Sequence, residues 1–109
     1  MKVLLDECLP RRLKRALSGH QVFTVPEMGW AGVKNGALLR LIQDAAFDVF
    51  VTIDGNLSYQ QNLKGVNLAI IVLRAPDNTI ESLRPLAPAI LVAIQRISIG
   101  DVIPIGERF

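Results

Sequence analysis

The strongest constraint on the fold is a regular alternation of short apolar runs with longer amphipathic stretches. The apolar runs have the length and the aliphatic content of strands that are buried on both faces of a parallel sheet. They cover residues 3–5, 22–25, 49–53 and 68–73, with a last edge strand near residues 102–105. Strands that alternate with helices pair in parallel through right-handed crossovers. We therefore predict one α/β domain over residues 1–109, with a mainly parallel sheet of four to five strands.

The stretches between these runs carry helix signals. Leucines recur every four residues from Leu9 to Leu17 and form one apolar stripe. Asn35 is a good N-cap for a second helix, and a short helix is predicted over residues 59–63. A long helix is predicted over residues 80–97, and its two prolines should bend or restart it.

The composition narrows the class of protein. The chain has a formal net charge of only +2 at pH 7, so its overall charge gives no signal for a polyanionic partner. Cys8 is the only cysteine, which excludes an intrachain disulfide and is typical of a reducing compartment. No stretch approaches the roughly 18 apolar residues that span a bilayer, and the N-terminal run is too short for a signal peptide. We expect a cytoplasmic protein with no membrane partner.

Acidic residues follow two of the predicted strands. Asp6 and Glu7 come directly after the first strand, and Asp54 comes directly after the third. The carboxyl ends of parallel strands meet at one edge of the sheet, where the functional crevice lies. A simpler interpretation exists for each acid, because Asp6 suits a helix-capping turn and Asp54-Gly55 suits a hairpin. Clustered carboxylates nevertheless repel one another and call for a cation, and their hard oxygens suit Mg²⁺ or Mn²⁺.

Basic and polar residues follow the two acids. The first predicted helix carries four cations off its apolar stripe: Arg11, Arg12, Lys14 and Arg15. Such a run is most often a solvated face. Because this helix begins beside Asp6, Arg11 and Arg12 can also hold the phosphate backbone of a nucleic acid, and Lys34 can face the same edge. Polar residues after Asp54 can form a wall around the substrate, with a ring to stack on a base. These residues are Asn56, Tyr59 and Gln60.

Three further residues have no chemical role in this interpretation. Trp30 lies in a predicted loop and is expected to pack on the core. His20 stands alone after a helix-ending glycine and is expected at the surface. Cys8 lacks a histidine partner and is expected to be a small buried residue and not a nucleophile.

Several segments together resemble a known family. They are LDECLP (5–10), EMGW (27–30), KNG (34–36), DVFVTID (48–54), NL (56–57), YQQNL (59–63), LRPL (83–86) and GDV (100–102). Over nearly the whole chain they look like the small PIN-like proteins of the DUF5615 family. The resemblance implies a three-layer α/β/α PIN-like fold and a Mg²⁺- or Mn²⁺-dependent ribonuclease that acts on RNA. It also implies a toxin with a small antitoxin protein as its partner, Asp6 and Asp54 as metal ligands, and Glu7 as a further acid of the site.

The chain departs from this family at the start of the second helix. Residues 34–36 lack the acid that many relatives place there, and Glu27 is the loop acid that can substitute. Besides the endoribonuclease, a non-catalytic PIN-like binding module therefore stays open. A receiver-type signalling domain with Asp54 as phosphoacceptor is the third alternative. It is disfavoured because it needs a hydroxyl residue after the fourth strand and a later lysine, and no lysine follows Lys64. The sequence also leaves open whether two copies of the chain form a homodimer.

Overall fold

Five parallel strands form one sheet in the part of the chain that the computed structural model describes, residues 1–53 and 67–106. The strands are β1 (Lys2–Leu5), β2 (Gln21–Thr24), β3 (Val49–Thr52), β4 (Ala69–Arg74) and β5 (Val102–Gly106). Their order across the sheet is β2-β1-β3-β4-β5, and every adjacent pair is parallel. The predicted parallel sheet is confirmed, as is the predicted edge strand at β5.

Helices alternate with these strands. They are α1 (Leu13–Ala16), α2 (Asn35–Asp44), α3 (Ile80–Leu83) and α4 (Ala87–Arg96), with a 3₁₀ turn, Arg84–Leu86, between α3 and α4. The predicted break in the last helix is confirmed: Pro85 lies in the 3₁₀ turn and Pro88 in the first turn of α4. Thr79 starts α3 by accepting a hydrogen bond from the Ser82 amide. Among the described residues, no helix is long and apolar enough to cross a membrane.

Two helix boundaries differ from the prediction. The first helix is only one turn long. Leu13 and Lys14, its first two residues, donate to carbonyls three residues earlier, so the segment before α1 forms tight turns and not a longer α-helix. Asn35 is not the N-cap of α2 but its first residue, and Lys34 takes the extended cap conformation. The helix predicted over residues 59–63 lies outside the described residues.

The helices cover the two faces of the sheet as separate layers. One core cluster contains Leu13 of α1, Ile90 of α4 and Val51 of β3. The other contains Ile42 of α2 and Phe50 of β3. All five side chains are fully buried. Because successive residues of a strand point to opposite faces, Phe50 and Val51 show that β3 is covered on both sides. This is the three-layer α/β/α architecture that the resemblance implies.

Candidate functional site

Among the described strands, the order reverses between β1 and β3. The chain passes from β1 to β2 on one side, and then to β3 on the other. Such a switch point opens a crevice beyond the carboxyl ends of the two strands, where open α/β sheets bind their ligands. Asp6 directly follows β1, and its amide donates to the carbonyl of Val51 in β3 at 2.9 Å. Asp54, the other predicted metal ligand, lies outside the described residues.

Asp6 is a buried acidic residue at this edge of the sheet. The residue is 8% exposed. Its Oδ2 accepts a hydrogen bond from the Thr52 hydroxyl at 2.7 Å, and its Oδ1 accepts one from the Glu7 amide at 2.8 Å. No lysine, arginine or histidine in residues 1–53 and 67–106 forms an ion pair with it. Each carboxylate oxygen has two lone pairs, so acceptor capacity remains for a cation after both hydrogen bonds.

Thr52 is the site residue that sequence reasoning missed. It is the last residue of β3 and is fully buried. Its hydroxyl fixes the rotation of the Asp6 carboxylate across the β1–β3 pair. The available signal was a single hydroxyl residue in an apolar strand, two positions before Asp54. Threonine is common in strands for packing reasons alone, so that signal was weak without the register of the two strands.

Glu7 points its carboxylate to a different partner. The residue is exposed, and its two oxygens accept hydrogen bonds from the Gly32 amide at 3.1 and 3.3 Å. This contact ties the turn after β1 to the loop that precedes α2. Within residues 1–53 and 67–106, no three His, Cys, Asp or Glu side chains are placed together to hold a metal ion. The described part of the site therefore contributes one buried carboxylate, that of Asp6.

Glu27, the loop acid considered as a substitute, has a complete set of partners elsewhere. Both of its oxygens accept hydrogen bonds from Lys14 Nζ at 2.9 Å, and Oε1 also accepts one from the Thr24 amide at 3.1 Å. The Lys14 ammonium, followed by Thr24, lowers the pKa of the Glu27 carboxyl. Glu27 therefore neutralises a cation of the first helix and is not directed to Asp6.

The predicted basic face is a surface feature of the fold. Arg11, Arg12, Lys14 and Arg15 line a depression of about 660 Å³. The three arginines are exposed, as is Lys34 at the start of α2. A neighbouring depression of about 310 Å³ lies between Arg11 and the end of β2. The polar residues predicted for the opposite wall lie outside the described residues: Asn56, Tyr59 and Gln60.

The three residues without a chemical role behave as structural residues. Trp30 packs against the second core cluster, with its ring edge-to-face to Phe47 at a centroid distance of 6.1 Å. His20 Nδ1 lies 3.4 Å from the N-terminal amine. Cys8 is half-buried, and burial raises the pKa of its thiol. Such a thiol stays protonated at neutral pH, which makes it a poor nucleophile and a poor metal ligand.

The carboxylate at the switch point is the type of ligand that a hard divalent cation prefers. Asp6 supplies a carboxylate oxygen, the ligand type that Mg²⁺ and Mn²⁺ prefer. Mg²⁺ is usually held by one or two carboxylates and keeps several waters, so a small donor set is typical for it. Asp6 alone is one ligand of such a site and not a whole site.

A family model described as a PIN-like domain matches residues 1–73. The match covers more than half of the 109 residues and includes β1, β2 and β3. The chain therefore belongs to the PIN-like domain family, and domains of this family generally use divalent metals. No curated protein and no solved structure matches the chain. The predicted PIN-like relationship is confirmed at the level of this family.

Proposed function

We propose that this member of the PIN-like domain family is a metal-dependent endoribonuclease of the DUF5615 kind, with Asp6 and Asp54 as its metal ligands. The observation that carries the proposal is the state of Asp6. Asp6 is 8% exposed and lies at the switch point of the sheet, and its carboxylate has hydrogen-bond donors but no described cation. Buried charges in proteins are normally paired or coordinate a metal ion.

In this proposal each acidic side chain has a defined task. Asp6 and Asp54 would hold Mg²⁺ or Mn²⁺, and Glu7 would assist directly or through a water molecule. When bound, the ion stabilises charge on a phosphoryl oxygen and lowers the pKa of a bound water. Thr52 keeps the Asp6 carboxylate in one orientation through its 2.7 Å hydrogen bond. Such preorganisation avoids reorienting the ligand during the reaction.

The RNA would be held by side chains around this edge. Arg11 and Arg12 are exposed at the start of the basic face, and Lys34 is exposed two residues beyond Gly32, whose amide binds Glu7. Their positive charges would hold phosphates on either side of the scissile bond. The polar segment after Asp54 would contact the bases: Asn56 and Gln60 by hydrogen bonds and Tyr59 by stacking.

The biological role that we propose is the toxin of a toxin–antitoxin pair, active in the cytoplasm and opposed by a small antitoxin protein. The resemblance to DUF5615 proteins is what supports this role. A homodimer would have exposed apolar side chains to bury, since Val92 of α4 is 50% exposed and Ile99 is 69% exposed.

A non-catalytic binding module is the second candidate function. It is favoured by the sequence of residues 34–36, which lack the acid that many relatives place at the start of the second helix. A receiver domain is a weaker candidate, because β4 ends at Arg74 and no lysine follows Lys64 in the sequence. Labelling with acetyl phosphate separates the receiver from the nuclease, since stable modification of Asp54 would favour the receiver.

Cleavage of labelled RNA in Mg²⁺, Mn²⁺ or EDTA tests the proposal. Asp6→Asn and Asp54→Asn should each reduce metal-dependent cleavage by at least about a hundred-fold while preserving the circular dichroism spectrum. Asp44→Asn is the matched control, because it removes an exposed carboxylate at the last residue of α2 and should cleave as wild type does. Equal cleavage by wild type and both site variants, or cleavage that persists in EDTA, would contradict metal-dependent cleavage at Asp6 and Asp54.

A further inference from the structure

Arg84 has no role in the proposed reaction, yet it lies beside the basic face of α1. It begins the 3₁₀ turn, where the helix is interrupted between α3 and α4. Arg84 is exposed, and together with Arg12, Arg15 and Ala16 it lines a depression of about 270 Å³. Two segments that are far apart in the sequence therefore present guanidinium groups to one place.

This depression continues the larger one on the basic face. Arg12 and Arg15 line both of them, so the two depressions adjoin each other along these side chains. We call the surface formed by Arg11, Arg12, Arg15 and Arg84 the basic track.

The basic track is held in a fixed relation to the candidate site. The Asn78 side-chain amide donates to the Cys8 carbonyl at 2.8 Å. That bond ties the segment before α3 to the turn that follows Asp6. On the buried side, Leu13 of α1 and Leu83 of α3 belong to the same core cluster. The two segments that carry the track are thus joined both at the surface and in the core.

The charges of the basic track are uncompensated within the described residues. Lys14 has a partner in Glu27 at 2.9 Å, but none of the four track arginines forms an ion pair there. Glu81, three residues before Arg84, forms none either. Gathered cations repel one another, so this arrangement favours an anionic ligand that can neutralise several of them together.

The chemistry of the basic track favours a phosphate backbone over a protein. Guanidinium groups bind phosphate oxygens in a bidentate fork. The described residues that line the two depressions include no aromatic side chain, whereas aromatic residues are enriched at protein interfaces. We propose that the basic track binds the backbone of single-stranded RNA, and that Arg12, Arg15 and Arg84 form a phosphate subsite beyond the scissile phosphate. This inference rests on the proposed ribonuclease function.

Salt-dependent binding tests the subsite. A fluorescein-labelled oligouridylate of about a dozen nucleotides is titrated with the full chain in EDTA, and the anisotropy is followed between about 50 and 200 mM NaCl. Each phosphate contact to a single strand contributes about 0.7 to the slope of log affinity against log salt, so Arg15→Gln with Arg84→Gln should lower the slope by about 1.4. At low salt the affinity should fall about five- to thirty-fold.

The matched control is Arg40→Gln with Arg96→Gln, which removes the same net charge. Arg40 is exposed on α2, across the sheet, and Arg96 is the last residue of α4. The control pair should bind RNA nearly as tightly as wild type. An equal loss in both pairs would show that net charge alone is responsible and would overturn the subsite. An unchanged slope in the track pair would overturn it as well.

A labelled oligoglutamate peptide is the competing probe. Loss of peptide binding in the track pair, with RNA binding unchanged, would assign the surface to an acidic protein segment and overturn the inference. Because binding is measured in EDTA, its outcome is separate from that of the cleavage experiment. Asp6-dependent cleavage with an unchanged salt slope would remove the subsite and leave the proposed function in place.

Discussion

Asp6 and Glu27 follow neighbouring strands of the sheet, and the protein stabilises the two carboxylates in opposite ways. Asp6 is 8% exposed, and its partners are the Thr52 hydroxyl and a backbone amide. Glu27 is exposed, and both of its oxygens lie 2.9 Å from the Lys14 ammonium. Asp6 is therefore buried, with no described cation at its carboxylate. The Glu27 carboxylate is paired with a cation although it is exposed to solvent.

The difference supports the proposal that Asp6, and not Glu27, binds an external cation. The Glu27 charge is already neutralised within the protein. Burying a carboxylate charge is in general unfavourable, and hydrogen bonds from neutral donors compensate it only in part. The energetic cost of this arrangement is recovered if an ion binds there. The comparison also removes Glu27 as a replacement for the acid that is missing at the start of α2.

The largest effect on stability is expected from Thr52→Val, which keeps the shape of the side chain and removes its hydroxyl. The Asp6 oxygen would be left without this donor in a buried place, so the free energy of unfolding should fall by about 1–3 kcal/mol. Thr24→Val is the matched change in the Glu27 region, where the hydroxyl accepts a hydrogen bond from the Glu27 amide at 3.2 Å. Because that amide can bind water instead, the loss there should be smaller.

Urea unfolding of the two valine variants measures this contrast. Thr52→Ser should recover most of the stability, since serine retains the donor. Equal losses for Thr52→Val and Thr24→Val would break the distinction between the two regions.

A smaller effect is expected from Glu27→Gln. The Lys14–Glu27 pair is about one-third exposed on each side chain, with fractions of 34% and 31%, so solvent screens it strongly. Its loss should cost roughly 0.2–1 kcal/mol at low salt and less as salt is added. A double-mutant cycle with Lys14→Gln isolates the pairwise term. A coupling energy that does not change with salt would contradict an exposed ion pair.

The smallest predicted effect is the pH dependence of that same pair. The Lys14 hydrogen bond lowers the pKa of the Glu27 carboxyl below its ordinary value of 4.5. The stabilisation is therefore fully present above that ordinary value, and it is lost as the pH falls through the lower, folded-state pKa. The stability difference between wild type and Glu27→Gln should shrink over this acidic range in urea unfolding. A difference that grows on acidification would reverse the sign of the linkage.

The sequence predicted the parallel sheet with its alternating helices. At the described site it predicted Asp6 but not Thr52. Apolar runs and crossover rules were sufficient to place Asp6 at the carboxyl edge of the sheet, because the end of an apolar run marks the end of a strand. They could not show that Thr52 faces Asp6, since this depends on the register of β1 with β3. The partner of Glu7 is likewise a backbone amide 25 residues away, which no local pattern encodes.

The helix break near Pro85 was predicted from the sequence, but the neighbours of the residues at the break were not. The proline predicted an interrupted helix, and the 3₁₀ turn confirms it. The position of Arg84 beside Arg12 and Arg15 follows from how α1 and α3 pack in one layer. Side-chain neighbours of this kind come from tertiary packing and not from periodicity.

Titration with Mn²⁺ by isothermal calorimetry tests most directly whether Asp6 and Asp54 form a metal site. Wild type and Glu27→Gln should bind Mn²⁺ with equal affinity, because Glu27 is paired with Lys14. Asp6→Asn and Asp54→Asn should each bind at least about ten- to a hundred-fold more weakly. If wild type binds no Mn²⁺, or if Asp6→Asn binds it as tightly as wild type does, the Asp6 carboxylate is not a metal ligand and the protein has no metal site of the proposed kind.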